Sequence, residues 1–455
     1  MTNKKLADRS AYLRACAGRR FAKSSHSGWV VLCCLAIGAG VVGSFPPTTV
    51  WAQTAFTWGQ IKEKFEASNP TLQAAQMNVI ESRAAEVTAF LRPNPDFSTS
   101  IDQIAPFSTQ PSPVSNNQVY RPLANDFPAI SFSYLHERDH KRELRLESAR
   151  KSTDIAASGL TDQERGLLFT LRNAFVQTLQ AKSVQQNAKE NLDYWDRELD
   201  VNRRRLAAGD LAQGDLDRLE LQRVQFESDL ETSLVNLRTA KIQILLLLND
   251  RSAVDRFDVS GIYNFVDQLS PLEEFRNTAM AARPDLKEAI QTVELAKTNH
   301  RLAIANGSTD PTFGMDFGRN PPIPAYFGVS VSIPLRIFDK NQGEKARTEV
   351  EISRSEKARE AVQAQVFGDV DSAYFTLVSA LNLLRPYRDK YLKLAESNRD
   401  RQAFSYQNGG ASLLDYLDAE KAYRDTKLAY LNLIGSYLTA AAQMNMAVGR
   451  EVIVP

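Results

Sequence analysis

Residues His136-Glu137-Arg138-Asp139-His140 spell H-E-x-x-H, a pattern in which two histidines one helical turn apart bind zinc and the glutamate serves as general base. The chain has only four histidines in 455 residues, so the match has to be weighed. Zinc-peptidase chemistry needs a helix packed beneath a cleft. Here the motif joins an alternating segment ending at Leu135 to the very polar Lys141-Arg142-Glu143-Leu144-Arg145. Glu164 stands at a conceivable third-ligand separation, but a chain this rich in charge offers glutamate almost anywhere. The motif therefore reads first as a strand-to-helix junction, with His136 and His140 as weak metal candidates and a zinc metallopeptidase as the alternative. A second candidate is Asp415 with Asp418, three residues apart just beyond Gly409 and so on one helix face. An acid in a first turn is stabilised by the helix dipole, and capping alone would explain it. No phosphate loop or nucleophile elbow accompanies these residues, so neither an enzyme nor a cofactor is expected.

The elements that must carry these residues come in two rounds. Asn69-Pro70-Thr71-Leu72 is echoed by Arg283-Pro284-Asp285-Leu286, and Gly209, Asp215 and Glu220 recur two hundred residues later as Gly409, Asp415 and Glu420. Such self-similarity predicts one unit used twice, over 53–270 and 271–455. In each unit the hydrophobic period passes from 3.6 to 2 and back. Phe97, Thr99 and Ile101 alternate with Ser98 and Ser100; Ile130, Phe132 and Tyr134 with Ser131 and Ser133. Phe313, Met315 and Phe317 alternate with Gly314 and Asp316, and Phe327, Val329, Val331 and Ile333 with Gly328, Ser330 and Ser332. This predicts strands at about 95–104, 127–136, 311–318 and 326–336, joined by loops rich in Pro, Ser and Asn that lack helix periodicity, at Ala105 to Asp126 and Arg319 to Ala325. One face of each strand is apolar and the other Ser, Gly and Asp, which suits lipid outside and a watery lumen inside. Four such strands cannot close a barrel, so several copies must share one.

Long helical patterns flank the strands, as hairpins over 138–248 and 342–448. Their first arm alone, near 70 residues, would reach about 105 Å. Helices of this length pack laterally as coiled-coil hairpins, and Pro386 should kink its helix. A periplasmic coiled-coil scaffold is the second alternative function.

Charge and cysteine narrow the classes further. The 55 Lys and Arg are balanced by 54 Asp and Glu with no tail of one sign, so no nucleic-acid partner is expected. Arg14, Arg19, Arg20 and Lys23 precede an uncharged stretch from Gly28 to Gly43, then Pro46, Pro47 and Val50-Trp51-Ala52. Residues 1–52 thus read as a secretory signal peptide, with the mature chain starting at Gln53. Cys16, Cys33 and Cys34 leave with it. Leu32 and Cys33, which precede Cys33 and Cys34, argue against lipid attachment. Loss of seven basic residues and one acidic residue leaves 48 against 53, a net charge of −5. Outside the leader no uncharged apolar run is long enough to span a membrane as a helix.

The duplicated helix starts, the strand hairpins, and the segment Tyr406-Gln407-Asn408-Gly409-Gly410-Ala411-Ser412-Leu413-Leu414-Asp415-Tyr416-Leu417-Asp418-Ala419-Glu420 together resemble the TolC-like outer-membrane efflux protein family over essentially the whole mature length. The resemblance implies a mainly α protein with membrane β: long helical hairpins forming a periplasmic tunnel, and four strands contributed to a trimeric, twelve-stranded outer-membrane barrel. It implies an efflux channel in the bacterial outer membrane, extending into the periplasm and coupled to an inner-membrane transporter through a periplasmic adaptor (membrane fusion) protein. Its partners would be two further copies, the adaptor, a transporter of the resistance-nodulation-division type, and outer-membrane lipid. Asp415, Asp418, Asp215 and Tyr406 match the family's periplasmic aperture. Gly209, Asp210, Leu211, Gly409, Gly410 and Ala411 match the hairpin tips that dock the adaptor. An arginine latch partner known in the family is replaced by Ile434. Phe56 to Lys64, Asn249 to Glu274 and Glu451 to Pro455 would lie near the tunnel's equator. Ser133 to Arg145 and Ile333 to Glu344 are also similar to members that serve heavy-metal cation exporters, although as junctions their composition serves geometry equally well.

Overall fold

The computed structural model describes residues 54–453 except 103, 105, 108, 112, 113, 115, 116, 121–125, 321 and 322. The expected leader 1–52, its cleavage point at Gln53, and Pro455 lie outside the described residues. The first half runs β1 (Thr54–Phe56), α1 (Trp58–Ser68), α2 (Pro70–Phe90), β2 (Asp96–Asp102), β3 (Thr109–Pro111), β4 (Gln118–Tyr120), β5 (Phe127–Leu135), α3 (Lys141–Ala208), α4 (Gln213–Leu247) and β6 (Phe257–Val259). The second runs α5 (Leu272–Ala282), α6 (Pro284–Asn306), β7 (Thr312–Asn320), β8 (Ile323–Ser332), α7 (Gln342–Pro386), α8 (Leu392–Gln407) and α9 (Leu413–Val448). No described helix is long and apolar enough to cross a membrane.

The two halves close their helix bundles in the same way. Asn69 caps α2 by accepting from the Leu72 N–H at 2.9 Å, and its amide donates to the Leu247 carbonyl at 2.8 Å. Arg283, the matching residue before α6, donates to the Ala447 carbonyl at 3.2 Å and to Asp369 at 2.8 Å. In both halves a polar side chain at a helix start thus ties off the last carbonyls of the returning helix, groups that would otherwise lack partners. Each tie adjoins one of two apolar cores. One gathers Ile61, Phe65, Leu171, Phe175, Ile244 and Val259. The other gathers Phe275, Val366, Leu377, Leu381, Tyr437 and Met444.

Four of the strands form one antiparallel sheet in the order β2-β5-β7-β8, while β1 pairs with β6 in parallel. Its register aligns Phe97, Phe132, Met315 and Val329 in one row and Thr99, Ile130, Phe317 and Phe327 in another. The alternate rows are Asp96, Ser133, Gly314, Ser330 and Ser98, Ser131, Asp316, Gly328. Side chains directly opposite one another share a face, so one face is aromatic and aliphatic and the other small and polar. The apolar face is open: Phe97, Phe317 and Val329 are exposed.

Several expectations need correction. The loop expected over 105–126 contains the paired strands β3 and β4. The connection expected over 319–325 narrows to residues 321 and 322, which lie outside the described residues, because the ladder continues to Asn320 and Ile323. Pro324 falls at an irregularity of the ladder, between the pairs Asn320–Ile323 and Gly318–Tyr326, where a missing N–H is tolerated. β8 ends at Ser332, short of 336, where Pro334 has no N–H to donate. After Pro386 the helix passes through a π turn at Tyr387–Tyr391, in which the Leu392 N–H bonds the Tyr387 carbonyl five residues back. The missing proline N–H is absorbed by this change of helical register.

Strand and helix meet at a buried ion pair. Lys141, 4% exposed, donates to Asp310 at 2.6 Å and to the Ser308 carbonyl at 3.0 Å. Burial opposes ionisation of Asp310, but the hydrogen bonds from Lys141 and the Arg138 N–H outweigh it and hold the carboxyl below its usual range. Lys141→Met should destabilise the assembled protein by about 3 kcal/mol, because it leaves a desolvated charge without its ionic partner; Lys141→Met with Asp310→Asn should recover most of the loss. A group with a lowered pKa contributes stability that is present above its unfolded value and lost as pH falls through the folded one. Thermal melting should therefore show an acid-side loss in the parent that the double variant lacks.

Candidate functional site

The ends of the two helical hairpins are built alike. At Gly209 (φ 84°) α3 stops: the Gly209 N–H bonds the Leu206 carbonyl at 3.0 Å and the Asp210 N–H the Arg205 carbonyl at 2.9 Å. At Gly409 (φ 72°) the Gly409 N–H bonds Tyr406 at 3.2 Å and the Gly410 N–H bonds Ser405 at 2.7 Å. Both are Schellman motifs, and the left-handed residue in each is glycine because a Cβ would be strained there. The tip residues Asp210, Gly409 and Gly410 are exposed, and Leu211 and Ala411 are half-buried.

Just inside the tips, aromatic rings cross from one hairpin to the other. Trp195 of α3 packs on Phe226 of α4 with centroids 5.0 Å apart and stacks on Tyr416 of α9 at 6.2 Å and 2°. Tyr416 stacks in turn on Tyr406 of α8 at 5.3 Å and 3°. Trp195 and Tyr416 are fully buried. The Trp195 indole N–H donates to the Leu219 carbonyl at 3.0 Å, so burial leaves its polar edge satisfied. Hydrophobic periodicity places each ring on an inward helix face, but the stack joins residues of four helices and cannot be read from any one of them.

The four aperture candidates separate into two environments. Tyr406 is buried, its hydroxyl donating to Asn202 Oδ1 at 3.4 Å and its ring facing the Arg205 guanidinium at 5.2 Å. Burial pushes its hydroxyl pKa up, Arg205 pulls it down and Asp215 adds to the rise, so Tyr406 and Asp215 share one electrostatic neighbourhood. Asp215 itself lies 3.7 Å from Arg218. Asp415 and Asp418 are exposed. Asp415 completes a capping box: its N–H donates to Ser412 Oγ at 3.2 Å, while its carboxylate accepts from Ser412 Oγ at 2.7 Å and from the Ser412 N–H at 3.2 Å. The Ser412 side chain and then its backbone N–H hold the Asp415 carboxyl below the usual range. The capping role is therefore occupied, and it leaves the carboxylate facing solvent.

Ile434 does not stand near these residues. It is buried in the core around Tyr437 and Met444, 19 residues or about 28 Å along α9 from Asp415. The arginine beside Tyr406 is Arg205, on a helix of the first half, where a search along the second half would not find it.

The H-E-x-x-H residues do not form a helical metal pair. Asp139 and His140 are left-handed (φ 55° and 56°), and α3 begins only at Lys141, so the one-turn spacing of the histidines is lost. Glu137 is held by Arg145 through two hydrogen bonds, the second 2.8 Å long, and His136 lies edge-on to Phe313. Among the described residues no group of three or more His, Cys, Asp or Glu could hold a metal ion.

The fold and these tips can be compared with known proteins. The model of the outer membrane efflux protein family matches residues 276–450. Over these residues the chain is similar to members of this family. Across 400 residues, 84% of the chain and 87% of the relative, it is 22% identical to the cobalt-zinc-cadmium resistance protein CzcC of Cupriavidus metallidurans. The fold is similar to that of CusC, whose structures describe transmembrane channel formation, with a TM-score of 0.70 and 16% identity over 86% of this chain and 92% of that one. It is likewise similar to the outer membrane protein VceC of Vibrio cholerae, with a TM-score of 0.67 and 16% identity over 86% and 96%.

The capping box gives a direct test. Ser412→Ala should cost about 1 kcal/mol in the first turn of α9. Hydrogen exchange should report reduced protection over residues 413–417 and none lost at the matching start of α4, where Ala212 already makes no side-chain cap.

Proposed function

We propose that this protein is the outer-membrane channel of a tripartite efflux system, a passive exit duct fed by an inner-membrane pump through a periplasmic adaptor, and that its cargo is heavy-metal cations. The observation that carries the channel reading is the four-stranded sheet: one face of Phe, Ile, Met and Val, the other of Ser, Gly and Asp, and two outer strands, β2 and β8, paired on one side only. Unpaired strand edges are intolerable in hydrocarbon, so three copies closing a twelve-stranded barrel satisfy the backbone. The cargo reading rests on the relative named for cobalt, zinc and cadmium resistance and on carboxylates exposed at the hairpin end. The pump is of the resistance-nodulation-division type on this reading.

In such a trimer the tips around Gly209, Asp210, Leu211, Gly409, Gly410 and Ala411 would face the adaptor. Phe404 and Leu414, both more than 60% exposed, offer apolar contact beside them. Symmetric copies of Asp415 and Asp418 would ring the opening, with Asp215 and Tyr406 behind them. Like charges brought close repel, and a multivalent cation relieves that repulsion by bridging them. Such a duct moves solutes down a path opened by its partners, and its own residues do no bond chemistry.

In a planar bilayer the purified channel should be cation-selective and blocked from the periplasmic side by multivalent cations. Asp415→Asn with Asp418→Asn should weaken that block at least about tenfold and leave oligomer mass unchanged, since Asn also caps well. Block at the same concentration in parent and double variant would reduce both residues to helix caps.

A further inference from the structure

Glu420 is the most deeply buried acid of the hairpin end. Its side chain sits one turn beyond Tyr416 on α9, 4% exposed, and its Oε2 is buried with no hydrogen-bond partner. The contrast with the first half isolates this feature. Glu220, two hundred residues earlier, is exposed on α4 and pairs with Arg203 at 3.0 Å. One position of the duplicated sequence is thus solvated and paired, the other dry and unpaired.

The groups facing Glu420 do not compensate its charge. From α3 come Tyr194, whose hydroxyl meets that of Tyr416 at 3.4 Å, and the carboxyl of Glu198. From α8 come Arg399, drawn to Asp400 at 2.7 Å and stacked over Tyr423 at 4.0 Å, and Asp400 itself. On α9 lies Arg424, which reaches Asp229 of α4 and Asp425, each at 3.8 Å. Both arginines favour the ionised form, yet each is committed to another acid, and Glu198 and Asp400 oppose them. Burial is the largest influence, and it pushes the Glu420 carboxyl up to about 7. Glu198 is pushed up too, again chiefly by burial.

We propose that Glu420 is a proton-controlled latch: protonated, it lets α9 pack against α3 and α8 beneath the aromatic stack; ionised, it loosens that packing and frees the α8–α9 hairpin end. The sign follows from linkage. An acid whose pKa is raised by packing stabilises the packed state fully below its unpacked value, and that stability is lost as pH rises through the packed value. The window lies between the ordinary glutamate range and neutrality, where a modest pH change alters the population of the loosened hairpin. The α4 arm of the first-half hairpin, with Glu220 in water, stays indifferent to pH. The latch is a property of the protomer and stands whether or not the protein conducts cations.

Hydrogen exchange on the whole chain in its membrane-extracted, assembled form tests this. Protection factors over 413–423 and 194–202 should fall several-fold per pH unit between about pH 5 and 7 and level off above about 8, while those of 213–223 stay flat relative to them. Glu420→Gln, and independently Glu420→Met, which fills similar volume without a charge, should hold the protection of the low-pH form at every pH. A parent that loses no protection in that window, or loses it equally over 213–223, overturns the latch. So does either variant if it keeps the parent's pH dependence.

Discussion

A backbone N–H or C=O left unpaired in hydrocarbon costs several kcal/mol, and the outer edges of β2 and β8 each present a row of them. No side chain within one protomer can cover these edges without spoiling the apolar face. On the proposed channel reading the other features are intelligible as consequences: identical copies would meet edge to edge, the helices would continue the same ring, and each protomer would hold its strands at a fixed angle to its helices. The last requirement falls on the Lys141–Asp310 pair. It links the start of α3, in the first half, to the residue just before the β7 hairpin, in the second. A loose junction would let the sheet swing relative to the helices, and the edges of neighbouring copies would not meet.

The left-handed residues before the long helices belong to the same requirement. His140 precedes α3 and Asn341 precedes α7, with φ of 56° and 60°. Neither is glycine, so both conformations carry a steric cost. They persist because hydrogen bonds around them hold the corner: the Arg138 N–H to Asp310 at 2.9 Å in one half, the Asn341 amide to the Ala303 carbonyl at 2.8 Å in the other. A sequence pattern that looks like a zinc helix is in fact a corner.

What could be read from sequence is what is local. Alternation of Phe97, Thr99 and Ile101, or of Phe313, Met315 and Phe317, declares a two-faced strand because a period of two needs only adjacent residues. The long helices declare themselves in the same way. The pairing of β5 with β7 joins Phe132 to Met315, and nothing in either strand names its partner. The rest was hidden for specific reasons. Pro386 announced a disturbance but not that a π turn would absorb it. Ile434 stands where the family resemblance puts an arginine latch, whereas rise per residue puts it in the core around Tyr437 and Met444. Arg205 and Trp195, which touch Tyr406 and Tyr416, lie in the other half of the chain and carry no marker of their own.

Duplication explains both what is shared between the halves and what differs. The Asn69 and Arg283 ties and the two Schellman tips place equivalent elements twice in each protomer, as the proposed closed ring of helices would require. The lower ends have then diverged. Ser412 caps where Ala212 does not, Trp195 fills the core where its counterpart is Ala395, and Glu420 is buried where Glu220 is solvated. Each difference adds a polar or aromatic constraint to the contact between α9 and its neighbours. A contact held by stacked rings and one uncompensated carboxyl is stable in a single protonation state. The tie at Arg283, with two acids and a carbonyl around one guanidinium, holds over a much wider pH range. The bundle around the Asn69 and Arg283 ties is thus built to stay closed and the α8–α9 hairpin end to yield, a division of labour that two identical repeats could not supply.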